Sequence, residues 1–208
     1  MQETYEAEGV KGTLHWPEER GGDAIVLTHG AGSNSNAPLL VTLAEAFASS
    51  GLLVLRFDLA FRIDRPKGSP FPAGAVRDRA GIERAVAAVR GMVQGRVFAG
   101  GHSYGGRQTT MAAAERPQMA DGLLLLSYPL HPPKRPEQKR TAHFPQLRTP
   151  ALFVHGTGDP FGSLEEVREA VALIPARTDV LAVEGAGHDL RRSGGLSAEM
   201  LARLRALL

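Results

Sequence analysis

FAGGHSYGG, residues 98–106, sets one serine among four glycines at the end of an apolar run. Gly100, Gly101, Gly105 and Gly106 add no side-chain packing, and each costs conformational entropy on folding. Their crowding around Ser103 points to a backbone shape that other residues cannot adopt. RVFAGG before the serine reads as a strand and GGRQTTMAAAERP after it as a helix, so Ser103 falls on the sharp turn between them. In the G-x-S-x-G spacing of Gly101-His102-Ser103-Tyr104-Gly105, the serine takes a strained conformation that exposes its hydroxyl. Side chains at the flanking glycines would strike the adjacent strand and helix. The helix behind Ser103 aims its free amides and positive dipole end at the same spot. Negative charge developing on a substrate oxygen would be stabilised there.

The same strand-then-helix rhythm runs along the chain. Short, continuous apolar runs at 24–30, 52–59, 96–103, 122–128, 150–156 and 179–185 read as strands covered on both faces. Stretches at 38–51, 75–92, 105–117, 163–175 and 197–208 carry helical periodicity. Ser163 and Glu166 have capping-box spacing, and Pro117 and Pro175 sit where helices stop. Alternation of this kind predicts an α/β fold: a mainly parallel central sheet with helices on both faces. Residues 4–17 read as an antiparallel hairpin at its edge, and 131–150, proline-rich and without periodicity, as an irregular surface loop. No repeat, linker or low-complexity tail interrupts the pattern, so one domain over 1–208 is expected.

Composition excludes several classes of function. The chain has 208 residues, 43% of them hydrophobic, enough for one sizeable core. Twenty-four basic against 22 acidic residues leave a net charge of +2 and no general pull toward nucleic acid. The basic loops also lack interleaved aromatics or a recognised nucleic-acid module. With no cysteine, disulfides, thiolate metal sites and a cysteine nucleophile are excluded. No H-E-x-x-H or comparable histidine cluster calls for a metal, and no cofactor is implied. MQETYEAEGV does not read as a signal peptide, and the longest apolar stretch, 122–130, is too short for a bilayer. A soluble cytoplasmic protein is the simplest expectation.

A serine hydroxyl needs a base, and the base an orienting acid. Ligands in such folds sit at the carboxyl ends of the strands, so partners belong in loops after later strands. Asp159 in VHGTGDPFG and His188 in VEGAGHDL meet that condition, and serine, acid, histidine is a chain order in which such triads occur around a serine on a strand-to-helix turn. Other histidines are less well placed. His102 should point away from its neighbour Ser103, His155 should order the Asp159 loop, and His15, His131 and His143 lack catalytic partners. Asp58 reads as structural or substrate-facing, and Asp189 as shaping the His188 loop. An oxyanion hole needs two amides: one expected from Tyr104, the other from Ala31 in the small-residue run His29-Gly30-Ala31-Gly32.

HGAG, GHSYGG, HGTGDPF and GAGHDL, in that order, together resemble the α/β-hydrolase superfamily over nearly the whole chain from about residue 23. Short length and the absence of a cap insertion make the chain similar to small, lidless members related to dienelactone hydrolases. Ser103 stands where those enzymes carry a cysteine. The resemblance implies a serine hydrolase. Its expected substrates are small, soluble esters or thioesters, cleaved through an acyl-enzyme. Acyl transfer, C–C cleavage or perhydrolysis on the same residues, and a non-catalytic interaction protein, are the other readings; oligomeric state is left open. Gly30, Gly32, Phe61, Phe161 and Leu190 are expected to border the substrate. The cationic loops 61–72 and 131–140 are read either as solvated or as bordering a pocket for an anionic group.

Overall fold

The computed structural model describes residues 1–19, 22–191 and 194–208. Eight strands form one sheet: β1 (Gln2–Ala7), β2 (Val10–His15), β3 (Ala24–Thr28), β4 (Leu53–Asp58), β5 (Val97–His102), β6 (Gly122–Leu126), β7 (Ala151–Gly156) and β8 (Thr178–Val183). Their order is β1-β2-β4-β3-β5-β6-β7-β8. From β4 to β8 every pairing is parallel, while β2 is antiparallel to both β1 and β4. The expected edge hairpin is present. Glu8 and Gly9 both take positive φ, 51° and 75°, which suits the tight two-residue connection.

Six α-helices join these strands among the described residues: α1 (Pro38–Ser49), α2 (Ala60–Asp64), α3 (Ala75–Arg90), α4 (Tyr104–Glu115), α5 (Leu164–Val171) and α6 (Ser197–Ala206). The helical spacing decides which face each one covers. Leu40, Leu43, Ala44 and Phe47 form one stripe of α1 and pack with Met200, Leu201 and Leu204 of α6 against Ile25, Val54, Phe98 and Leu124. On the opposite face Ile82, Ala85, Val86 and Val89 of α3, with α4 and α5, cover Val26, Leu55, Ala99 and Leu125. Strand neighbours such as Ile25 and Val26 thus feed two separate cores, which is why the strands read as unbroken apolar runs. Burying each large aliphatic side chain here contributes about 1.5–3 kcal/mol. At the start of α5 the predicted capping box is formed: Glu166 N donates to Ser163 Oγ, and Ser163 N to the Glu166 carboxylate.

Two segments differ from the sequence expectation. Residues 60–64, at the head of the expected loop, coil into the short helix α2. The 131–150 segment is irregular as expected, yet it is anchored rather than lying wholly at the surface. Phe144 and Leu147 are buried, and the Phe144 ring sits 5.3 Å from that of Tyr128 and 6.1 Å from that of Phe153.

This topology sets the place for a site. The chain leaves β3 through α1 on one face and returns from β4 to β5 through α3 on the other. A crevice at the carboxyl ends of β3 and β5 follows from that reversal. No separate cap covers it among the described residues. No described helix is long and apolar enough to cross a membrane.

Candidate active site

Ser103 closes β5 and opens α4 with φ 51° and ψ −116°, a conformation L-residues rarely adopt. It is held there from both sides: its N–H donates to the Leu126 carbonyl at 2.9 Å, and its carbonyl accepts from Arg107 N at 3.0 Å. The glycines make so tight a turn possible. A Cβ on Gly101 would lie 2.7 Å from the Thr28 carbonyl oxygen, and one on Gly105 2.6 Å from that of His29. Strand β3 and helix α4 therefore approach to backbone contact only because neither position carries a side chain.

Asp159 and His188, 29 residues apart in sequence, come from the loops after β7 and β8. The Ser103 hydroxyl and His188 Nε2 are 2.8 Å apart, and His188 Nδ1 lies 2.8 Å from Asp159 Oδ2. The second carboxylate oxygen of Asp159 accepts from Phe161 N at 2.9 Å. Burial alone would raise the Asp159 pKa. The hydrogen bond and charge of His188, with the Phe161 amide, outweigh that and hold the carboxyl below its usual range. His188 thus has its Nδ1 proton fixed toward Asp159, which leaves Nε2 as the acceptor facing Ser103.

The other histidines brace this arrangement. The His102 ring is engaged elsewhere than on the Ser103 hydroxyl: its Nε2–H donates to the backbone carbonyl of His188 at 2.7 Å. Burial, ahead of the other causes, lowers its pKa, which keeps that ring neutral. His155 Nε2–H donates to the Gly162 carbonyl at 2.8 Å and so ties down the Asp159 loop. His15, His143 and His131 instead meet Arg56, Thr110 and Glu166.

The loop after β3 is built around His29. Its buried ring donates from Nδ1 to the Gly30 carbonyl at 2.9 Å and accepts at Nε2 from Leu59 N at 3.1 Å. Both contacts need the neutral ring, and burial, chiefly, lowers its pKa to match. A trans peptide points its C=O and N–H in opposite directions. Fixing the Gly30 carbonyl on His29 therefore turns the Ala31 N–H the other way. The Tyr104 N–H, first of α4, has no intrahelical acceptor. The Tyr104 hydroxyl is tied to the buried Asp78, which also accepts from Phe61 N. Asp58, at the end of β4, accepts from Ser35 N at 2.7 Å and so ties the same loop to that strand.

Several expectations about substrate contacts change. Phe61 is buried in the core, edge-on to the His29 and Tyr104 rings at 5.5 and 5.8 Å, and props the loop instead of walling a pocket. Phe161 lies against the His188 ring, centroids 4.3 Å apart, and is half-buried. Gly32 is open, with nothing near an added Cβ, while Gly30 and Leu190 line a cavity together with His102, the residue before Ser103. Arg62 is neither solvated nor free for a substrate anion. Only 7% exposed, it donates to the carbonyls of Ala31, Ser33, Arg65 and Gly68. Lys67, Lys134, Arg135 and Lys139 are exposed, and Arg140 is half-buried against the Pro129 carbonyl. His29, Arg62 and His102 were thus missed as supports of the site. Only His29, next to the glycine run at a strand end, carried any signal in sequence. Among the described residues no cluster of His, Asp and Glu is placed to hold a metal ion.

Solved structures with this architecture include a dienelactone hydrolase from Anabaena variabilis, 22% identical over 98% of this chain and 96% of that one, with a TM-score of 0.73. Est1E from Butyrivibrio proteoclasticus is 17% identical over 99% and 98%, with a TM-score of 0.76. An α/β serine hydrolase without lid from Xanthomonas campestris is 17% identical over 98% and 94%, with a TM-score of 0.69. At these identities the likeness is one of fold. A family model described as alpha/beta hydrolase domain matches residues 21–206, which take in every strand of the parallel sheet and every side chain of the candidate site. With nearly the whole chain accounted for in this way, the protein belongs to the α/β-hydrolase family.

Proposed function

We propose that this protein is a serine hydrolase that cleaves small carboxylic esters or thioesters through an acyl-enzyme. The observation that carries the reading is the unbroken relay from Ser103 Oγ to His188 Nε2 and from His188 Nδ1 to the buried Asp159 carboxylate, 2.8 Å at each step. Ser103 Oγ attacks the substrate carbonyl carbon while His188 Nε2 takes its proton. The carbonyl oxygen, now an anion, is held by the N–H groups of Ala31 and Tyr104; one such donor contributes about 2.7–4 kcal/mol to lowering the barrier. His188 then gives its proton to the departing alcohol or thiol as the C–O or C–S bond breaks. Water, deprotonated by the same imidazole, attacks the acyl-enzyme and releases the acid and free Ser103. Asp159 stays ionised throughout and stabilises the imidazolium.

The test is turnover of a neutral activated ester such as p-nitrophenyl acetate by the wild type and by Ser103→Ala. The variant is expected to lose about 10⁴-fold or more in kcat. A variant that retains a near-wild-type rate overturns the reading.

A further inference from the structure

We propose that the cavity between α1 and the His188 loop seats an uncharged aliphatic arm of the ester, a chain of several carbons. This extension rests on the reading of Ser103 as nucleophile. The cavity has a volume of about 370 Å³ and is walled mainly by Pro38, Leu39 and Leu43 of α1 and by Leu190. A volume of that order holds a small organic group.

Three observations connect it to the reacting atoms and to an apolar ligand. First, it reaches Gly30 and His102, the neighbours of Ser103. A Cβ on Gly30 would lie 3.1 Å from His102 Nδ1 and 3.5 Å from Ser103 Cβ, so a side chain there would stand between the cavity lining and Ser103. Second, Leu190 is held at φ 50°, left-handed backbone that a leucine seldom adopts, and its side chain is only 1% exposed. The turn after His188 thus spends a strained residue on an apolar wall, the kind of strain found at ligand clamps. Third, among the described residues the lining offers no free charge. His102 is kept neutral by burial while its Nε2–H serves the His188 carbonyl. Asp189 and Arg191, at the mouth, pair with each other at 2.6 Å. The cation of the 61–72 loop closest to the oxyanion run, Arg62, donates to main-chain carbonyls instead. Among the described residues an anionic arm would find no uncompensated partner in this cavity, whereas an alkyl chain would displace water from Pro38 and the half-buried Leu39, over the buried Leu43 and Leu190.

Two ester series read the arm: p-nitrophenyl esters from acetate to octanoate vary the acyl side, and acetates from methyl to hexyl vary the alcohol side. In the wild type kcat/KM is expected to rise at least tenfold with chain length in one series, which identifies the side that enters. Leu39→Trp, filling the cavity, should bring the hexyl-to-methyl or hexanoate-to-acetate ratio down to about one, and Leu39→Ala should move the optimum to longer chains. Opposite shifts from two substitutions at one position separate filling from misfolding. Flat profiles in both series, or ratios unmoved by Leu39→Trp, overturn the proposal. A measurement free of turnover keeps it distinct from the hydrolase reading. n-Hexanol added to Ser103→Ala should shift the NMR methyl signals of Leu39, Leu43 and Leu190, and this response should vanish when Leu39→Trp is also present. Methyl shifts with no ester turnover in the wild type would uphold the cavity and reject the hydrolase; turnover without methyl shifts would do the reverse.

Discussion

Asp159 shows how much chemistry one buried carboxylate carries. Its side chain is wholly shielded from water, and its ionised form is favoured by His188 and by the Phe161 amide. Asp159→Asn is expected to lower kcat by about 10⁴-fold on a p-nitrophenyl ester, because an amide no longer selects the imidazole tautomer that accepts from Ser103. Stability follows with a definite sign. The folded pKa lies below the unfolded value of about 3.9, so the contribution of this carboxylate is present above that pH and is lost as pH falls through the folded pKa. The difference in urea midpoint between wild type and Asp159→Asn should shrink below about pH 4; a difference that stays constant to pH 3 would contradict the assignment. Arg62 is a second residue with a readable role. Its guanidinium reaches four carbonyls at once, two of them in the loop that carries Ala31. An ammonium has the charge but not the fork. Arg62→Lys should therefore cut kcat by about tenfold or more with KM little changed, since a shifted Ala31 amide weakens transition-state binding more than ground-state binding; equal losses in a folded protein's kcat and in KM would argue for a general loosening instead.

Among the elements, the best-legible were those whose side chains repeat. Leu40, Leu43, Ala44 and Phe47 in α1 and Ile82, Ala85, Val86 and Val89 in α3 recur at helical spacing, and both helices lie where the sequence places them. Helix α2 escaped notice because five residues are too short to show a period, and its stability comes from Phe61 packing and the Asp78 cap on Phe61 N. The 131–150 segment concealed its anchors for a similar reason: Phe144 and Leu147 belong to no repeat, and only the fold brings them to the core. The edge hairpin offers a test of its own. In β2, His15 is 2% exposed and accepts at Nε2 from Arg56 Nε of β4 at 2.8 Å. Burial, then the Arg56 charge, pushes its pKa down to about 4. The unfolded chain binds this proton below about pH 6.5 and the folded chain only below about 4, so stability falls as pH drops through that window, by up to about 3 kcal/mol. His15→Gln keeps an acceptor for Arg56 and removes the titration. Its urea midpoint should vary less than the wild type's between pH 6.5 and 4, and parallel profiles would show that His15 titrates alike in both states.

At the scale of the whole molecule, the sheet reversal between β3 and β5 does most of the positioning. It sets the Ser103 turn beside the His29 loop, and the loops after β7 and β8 then bring Asp159 and His188 to the same edge. That much was legible in the sequence, because glycines and a carboxylate or histidine just past a strand end leave local marks. The supports were not. Arg62 and His102 act on main-chain carbonyls of distant segments, and His29 on the main chain of Gly30 and Leu59; any residue supplies such groups, so apart from the place of His29 beside the glycine run no pattern of side chains records the contacts. Nor was the apolar cavity legible: helical spacing over 38–51 marks a core-facing stripe, and only the folded chain shows that Leu39 beside it is left half-buried at a cavity.

Exposure to a fluorophosphonate, followed by mass spectrometry of the tryptic peptides, tests most directly whether the Ser103 oxygen is activated by its histidine. One adduct should form on the wild type and map to Ser103, and its rate should fall by about 10³-fold or more in His188→Ala. Absence of an adduct, attachment at a different serine, or labelling at an undiminished rate without the imidazole would contradict the account.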